Sequence, residues 1–137
     1  MAHWLFKSEP ETWSFDMQKA RGKAGQEWDG VRNFAARNHM RAMKKGDLGF
    51  FYHTGGERRI VGIVEVIREA HPESKDPEWD CVDIAARSAV PRPVSLEEVK
   101  ADQRLADMPL VRLGRLSVQP VSDEQWTIIC QMAGVTA

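Results

Sequence analysis

The amino-acid sequence predicts an α+β fold in which short strands form a small β-barrel and short helices pack around it. Five short segments are rich in β-branched or aromatic residues and are separated by Gly, Pro and acidic turns. Two Ser-initiated sequences have the pattern of helix capping boxes. The 137 residues contain no linker, repeat or low-complexity tract, which favours a single domain over 1–137.

The predicted strands are bounded by residues that favour turns. They cover 3–7, 47–53, 59–68, 80–89 and 110–120. Within the third strand, residues 60–66 are almost continuously apolar, which is typical of a strand covered on both faces. Gly62 interrupts this run and predicts a bend or the close approach of another element.

The helices are predicted from apolar periodicity and from capping residues. Apolar residues recur at helical spacing along 33–45, which predicts an amphipathic helix that ends at Gly46. The two capping boxes begin at Ser95 and Ser122. The second starts a final helix through Trp126, which we expect to close one end of the barrel core.

The overall charge argues against a protein that coats nucleic acid in general. The chain has 19 basic and 20 acidic residues, a net charge of −1, so any affinity for phosphate must be local. Residues 30–46 form an acid-free stretch with five cations: Arg32, Arg37, Arg41, Lys44 and Lys45. A second acid-free stretch, 110–122, carries Arg112 and Arg115.

The cysteines and the N-terminal residues favour a reducing compartment inside the cell. Cys81 and Cys130 lie far apart among apolar or strand-like neighbours, which favours two buried thiols in a reducing compartment over a disulfide. No apolar run approaches the roughly 20 residues that span a bilayer, and the first residues do not resemble a signal peptide. We therefore expect a cytoplasmic protein with no membrane partner.

The familiar patterns of metal and catalytic sites are missing from the sequence. His3, His39, His53 and His71 are scattered, without the spacing that places several metal ligands on one element. There is no phosphate-binding Gly-rich loop and no nucleophile elbow. The sequence predicts neither a metal nor a cofactor, and it favours a binding protein over an enzyme.

Trp28 occupies an unusual position for a large aromatic residue. It lies between Glu27 and Asp29, in a polar segment that favours a turn. Such a side chain either packs beneath a loop or lines a pocket. Trp4 and Trp126, in contrast, are expected to belong to the core.

Four segments in order resemble the EVE family of the PUA-like superfamily. They are WLFKSEP (4–10), EWDGVRN (27–33), GDLGFFYH (46–53) and GRLSVQP (114–120). The resemblance covers nearly the whole chain. It implies a PUA-like β-barrel of five to six strands, related to the ASCH domains and to the YTH domains that read methylated adenine in RNA.

The resemblance also implies a function, which is to read a modified base flipped out of its strand. The expected base is 5-methylcytosine or 5-hydroxymethylcytosine in DNA, and an RNA-binding module is the alternative within this class. Stacking on an aromatic ring contributes about 1–3 kcal/mol per base, which offsets part of the cost of unstacking. A nucleic-acid reader would be nucleoid-associated in a bacterium and nuclear in a eukaryote.

The pocket implied by the resemblance has Trp28 as its stacking platform. Ser8 and Glu9 follow the first strand, where they suit the exocyclic amine of cytosine. Tyr52 and His53 point to opposite faces of a strand, so one of them at most faces the pocket. The expected base-binding residues are Ser8, Glu9, Trp28, Asn33, Tyr52, His53, Ser117 and, by analogy with YTH domains, Trp79. The cations expected at phosphates are Lys7, Arg32, Arg37, Arg41 and Arg115.

An enzymatic alternative comes from the ASCH branch, which includes an amidohydrolase of acetylated cytidine. Lys7, Ser8 and Glu9 would then act as nucleophile and acid–base partners. A Lys7 amine buried beside a carboxylate in the pocket favours this hydrolase. A Lys7 amine directed outward favours the reader.

Overall fold

Six strands form one mixed sheet in the computed structural model, which describes residues 1–135. They are β1 (His3–Ser8), β2 (Gln26–Glu27), β3 (Leu48–His53), β4 (Arg59–Pro72), β5 (Asp80–Ser95) and β6 (Val118–Val121). Their order in the sheet is β2-β5-β4-β3-β1-β6. The pair β1 and β3 is parallel, and every other neighbouring pair is antiparallel.

Within the described residues, four α-helices and two short 3₁₀ helices lie between strands, and a fifth α-helix follows β6. The α-helices are α1 (Phe15–Ala20), α2 (Phe34–Ala42), α3 (Leu96–Ala101), α4 (Pro109–Arg112) and α5 (Asp123–Ala133). The 3₁₀ helices are Gly22–Ala24 and Gln103–Leu105. The capping boxes predicted at Ser95 and Ser122 are both present at the starts of α3 and α5. Among the described residues, no helix has the length and apolar character needed to cross a membrane.

The sheet separates two apolar clusters. On one face, Leu5 and Phe50 pack with Trp126 of α5. On the other face, Trp4 and Phe6 pack with side chains of α1 and α2. Successive side chains of a strand alternate between faces, so β1 contributes to both clusters. Trp4 and Trp126 are buried, which confirms their predicted place in the core.

The α+β class is confirmed, whereas the barrel is only an approximate description. β2 and β6 stand at the two ends of the sheet order and do not pair with each other within residues 1–135. The predicted strand 110–120 is wrong in its first part, because Pro109 occupies the first turn of α4. The predicted helix 33–45 is shorter than expected, since Asn33 is its N-cap and α2 ends at Ala42.

Both cysteines are buried and free, as the sequence predicted. Cys81 is in β5, and Cys130 is in α5. The second cysteine packs in the cluster that contains Trp126. The first lies near His71, with Sγ 3.8 Å from Nε2.

Gly62→Ala is expected to destabilise the fold by about 1–3 kcal/mol, because the added methyl overpacks the core. A Cβ at this position would lie 2.3 Å from Phe15 Cε1. This contact is the close approach that the sequence predicted at Gly62. Urea denaturation measures the effect, and Gly56→Ala is the control, since a Cβ there meets no atom within 4 Å. Equal stability of the two variants would contradict the expectation.

Candidate functional site

A cavity of about 510 Å³ opens at the carboxyl end of β1. We name it the Trp28 cavity. It is lined by Lys7, Ser8, Glu9, Thr12, Trp13, Gln26, Glu27, Trp28, Asp29, Gly30, Val31, Arg32, Lys75 and Ser117. Four segments that are distant in sequence therefore meet at one concavity of the size that holds small organic groups.

Trp28 forms one wall of the cavity and also belongs to the core. Its side chain makes edge contacts with Phe6 and Phe51, at ring-centroid distances of 5.4 and 5.6 Å. The residue is 8% exposed, and its backbone N–H donates to the Val82 carbonyl at 2.8 Å. Trp28 therefore both packs in the core and lines the cavity, so the two alternatives that the sequence left open are both present.

Trp13 is a second aromatic residue of the cavity, and a buried amide fixes its orientation. Its Nε1–H donates to Gln18 Oε1 at 2.9 Å. Gln18 is fully buried, and its own amide nitrogen donates to the Ile84 carbonyl at 3.0 Å. This chain of bonds ties the indole of Trp13 to β5.

The end of β1 supplies the polar groups of the cavity. The Ser8 hydroxyl donates to the Trp13 carbonyl, so its oxygen can still accept a hydrogen bond from a group in the cavity that Ser8 lines. The Glu9 carbonyl accepts from the backbone N–H groups of Thr12 and Trp13, at 3.0 and 2.9 Å. This turn leaves the Glu9 side chain exposed, and within residues 1–135 its carboxylate has no ion-pair partner.

Lys7 lies at the edge of the cavity against the segment before β6. Its Nζ donates to the Gly114 carbonyl at 2.7 Å, and its backbone N–H donates to the Ser117 carbonyl at 2.8 Å. Nζ also lies 5.9 Å from the centre of the Tyr52 ring. Partial burial lowers the pKa of the Lys7 ammonium. In the described part of the chain, no carboxylate lies within ion-pair distance of this group.

A buried carboxylate holds the loop that follows Trp28. Glu73, whose side chain is 1% exposed, accepts two bonds from the Arg32 guanidinium at 2.9 and 3.0 Å. It also accepts from the Gly30 N–H at 2.9 Å. The hydrogen bond to Glu73 raises the pKa of Arg32. The charge of Arg32 is therefore compensated inside the protein.

Three residues expected in the pocket do not line the Trp28 cavity within the described chain. Asn33 accepts from the Ala36 N–H as the N-cap of α2. Tyr52 packs in the cluster on the opposite face of the sheet. His53 Nε2 accepts from the Phe15 N–H at 3.0 Å, which anchors the start of α1. Each of these side chains makes a contact that stabilises the fold, and none of them faces the Trp28 cavity in the described chain.

Trp79 and the remaining cations lie outside the cavity as the structure describes it. Trp79 stacks on exposed Phe34 at 5.4 Å, and the guanidinium of Arg37 lies 4.8 Å from the Phe34 ring. Arg41 forms an ion pair with Asp80 at 2.7 Å. Arg115 is exposed in the segment before β6.

Several cavity residues were not among the expected base-binding residues. Asp29, Gly30 and Val31 stand inside the segment EWDGVRN, next to Trp28, so the segment itself was their signal. Glu27 also lines the cavity, although it stands in the polar segment that favours a turn. Its carboxylate accepts from the Ser74 N–H and hydroxyl at 3.1 and 2.5 Å, and these bonds lower its pKa.

Comparison with known proteins assigns the family. The EVE domain model matches residues 2–132. The chain belongs to the EVE domain family. Thymocyte nuclear protein 1 of Mus musculus is 34% identical over 95% of this EVE domain chain and 73% of its own length.

Solved structures of similar proteins share the fold. A protein from Agrobacterium tumefaciens is 54% identical, with a TM-score of 0.96 over 98% of this chain and 94% of that one. Human THYN1 protein, crystallised with 5-methylcytosine containing DNA, is 31% identical, with a TM-score of 0.90 over the whole of both chains. The YTH domain of Zygosaccharomyces rouxii MRB1 is 10% identical with a TM-score of 0.62, over 99% of this chain and 89% of that one, which shows a common fold.

Proposed function

We propose that this EVE domain binds nucleic acid and holds one flipped modified base, 5-methylcytosine or 5-hydroxymethylcytosine in DNA, in the Trp28 cavity. The observation that carries the proposal is the pair of indoles, Trp13 and Trp28, beside the polar end of β1. The human THYN1 protein, crystallised with DNA that contains 5-methylcytosine, supports the choice of base.

The chemistry of the cavity suits a cytosine. A base taken from its stack loses a few kcal/mol, and stacking on aromatic side chains returns about 1–3 kcal/mol per base. The acceptor oxygens of Ser8 and Glu9 match the N4 amine of cytosine, which is a donor. The 5-methyl group adds apolar surface that an indole can cover.

The cations divide into two roles under this proposal. Arg32 and Arg41 are paired with acidic side chains, so they position the surrounding chain. Lys7, Arg37 and Arg115 remain to contact phosphates, and such contacts set affinity without selecting the base. DNA binding would place the protein at the nucleoid of a bacterium or in the nucleus of a eukaryote.

The polar contacts favour binding over hydrolysis. Lys7 Nζ and Ser8 Oγ each donate to a backbone carbonyl, so they do not form the nucleophile–base pair that covalent catalysis uses. The hydrolase therefore lacks support from the geometry of Lys7, Ser8 and Glu9.

Trp13→Ala is expected to weaken binding of the modified base about ten- to a hundredfold, because it removes one stacking surface. Fluorescence anisotropy measures this effect with matched single strands and duplexes that carry cytosine, 5-methylcytosine or 5-hydroxymethylcytosine. Strands with N6-methyladenine and the corresponding RNA complete the set.

Trp79→Ala is the matched control, since Trp79 lies outside the described cavity. It is expected to keep the preference for the modified base. Equal affinity of the parent protein for all strands would refute the reader. A preference lost in Trp79→Ala and kept in Trp13→Ala would place the base at another site.

A further inference from the structure

Four side chains with metal-ligating atoms meet beside the Trp28 cavity. We name Glu27, His71, Cys81 and Asp83 the quartet, and its ligand atoms all lie within 4.8 Å of one another. Strand pairing brings them together, because Glu27 is opposite Asp83 and His71 is opposite Cys81. Cys81 and Asp83 are two residues apart in β5, so they point to the same face.

The hydrogen bonds of His71 orient one ring nitrogen toward the other members of the quartet. Nδ1 lies 2.9 Å from the Pro72 carbonyl oxygen, which requires a proton on Nδ1. Nε2 lies 2.7 Å from Asp83 Oδ1 and 3.8 Å from Cys81 Sγ. Metal-binding histidines commonly donate their second ring N–H to a backbone carbonyl in this way.

The contact between His71 and Asp83 is one that a cation bound by both side chains would stabilise. With the proton on Nδ1, a neutral ring would direct the Nε2 lone pair at a carboxylate oxygen. A divalent cation satisfies Asp83, Glu27 and the sulfur of Cys81 together.

We propose that Glu27, His71, Cys81 and Asp83 form a structural zinc site. A sulfur, an imidazole nitrogen and two carboxylates are a donor set that suits Zn²⁺ and does not suit Mg²⁺ or Ca²⁺. Four protein ligands close a tetrahedral shell, which is typical of structural zinc.

The distances between the ligand atoms of the quartet fit tetrahedral coordination after a small movement of the side chains. Bond lengths of about 2.0–2.3 Å place tetrahedral ligands about 3.3–3.8 Å apart. The 3.8 Å between Cys81 and His71 already fits, whereas the 2.7 Å between His71 and Asp83 opens by about 0.6 Å on this geometry. Ser74 keeps its bonds to Glu27, since each carboxylate oxygen has two lone pairs.

The zinc site would stabilise β2, the short strand at one end of the sheet order. β2 has two residues, and its last residue is a zinc ligand under this proposal. The ion joins β2 to β4 and β5, directly before Trp28. Zinc would thus hold one wall of the cavity in place, and this role does not depend on whether a nucleic acid binds.

The test is cobalt binding by the full-length, untagged protein after removal of metals by a chelator. We expect one equivalent of Co²⁺ to produce a thiolate-to-cobalt charge-transfer band and the visible bands of a tetrahedral ion. Zn²⁺ should displace the cobalt and abolish both. No thiolate band at saturating Co²⁺ would overturn the proposal.

Variants assign the band to its ligands. Cys81→Ser should lose the charge-transfer band, and Cys130→Ser should retain it, because Cys130 packs with Trp126 in α5 and is not a member of the quartet. Asp83→Asn should weaken Co²⁺ binding about tenfold or more and serves if Cys81→Ser does not fold. A band lost in Cys130→Ser, or unchanged affinity in Asp83→Asn, would overturn the proposal. The readouts involve no nucleic acid, so their failure leaves the proposed reader function untouched.

Discussion

Trp28→Ala is expected to lower the free energy of unfolding by about 3–5 kcal/mol, a large part of the stability of a small domain. The physical reason is its burial against Phe6 and Phe51, where truncation leaves a cavity in the core. A tryptophan that only lined a pocket would cost much less stability when truncated. Urea denaturation measures the change.

The same substitution is expected to abolish the preference for a modified base. Trp28→Phe separates the two effects, because a Phe keeps an aromatic ring in the core while it reduces the stacking surface. It should cost less stability than Trp28→Ala and still weaken binding of the modified base. A Trp28→Ala protein that unfolds like the parent, or keeps the full preference, would show that Trp28 is not the wall described above.

Glu73→Ala is expected to destabilise the protein by about 1.5–3 kcal/mol, the range for hydrogen bonds to a charged group. The change removes the acceptor for Arg32 and for the Gly30 N–H, so the loop after Trp28 loses its attachment. We also expect binding of the modified base to weaken, although Glu73 does not line the described cavity.

Glu78→Ala is the matched control, since Glu78 is an exposed carboxylate five residues further along the same segment. It should change stability by less than about 0.5 kcal/mol. Hydrogen exchange at the Gly30 amide reports the loop directly, and it should accelerate in Glu73→Ala alone. Unchanged exchange in that variant would show that the loop is held by other contacts.

Local signals explain which elements the sequence could predict. The capping boxes at Ser95 and Ser122 act within one helical turn, so residue types alone reveal them. Segment 110–120 looked like a strand because its residues are apolar, yet Pro109 favours a helical first turn. β2 escaped prediction because two residues carry no periodic pattern.

The candidate cavity depends more on tertiary contacts. Lys7, Ser8, Glu9 and Trp28 were reached through family motifs, and the structure brings them to one concavity. Trp13 was missed because its orientation depends on Gln18, which is buried under the sheet. Alternation along β3 showed that Tyr52 and His53 differ in direction, but only the packing of the helices shows what each one meets.

The quartet had no signal in the spacing of residues along the chain. Its members stand on three strands, and His71 is separated from Glu27 by α2 and β3. Motif searches look for ligands on one element, so they do not detect ligands that only strand pairing brings together.

The parallel pairing of β1 and β3 has a consequence for how such proteins diversify. Parallel neighbours need a long crossover, and here it runs from residue 9 to residue 47. This crossover carries both Trp13 and Trp28. The strands that it joins, β1 and β3, pair with each other in a register of their own. Grafting the crossover of a relative between β1 and β3 should therefore transfer that relative's base preference and leave the pairing among β1, β3, β4, β5 and β6 unchanged.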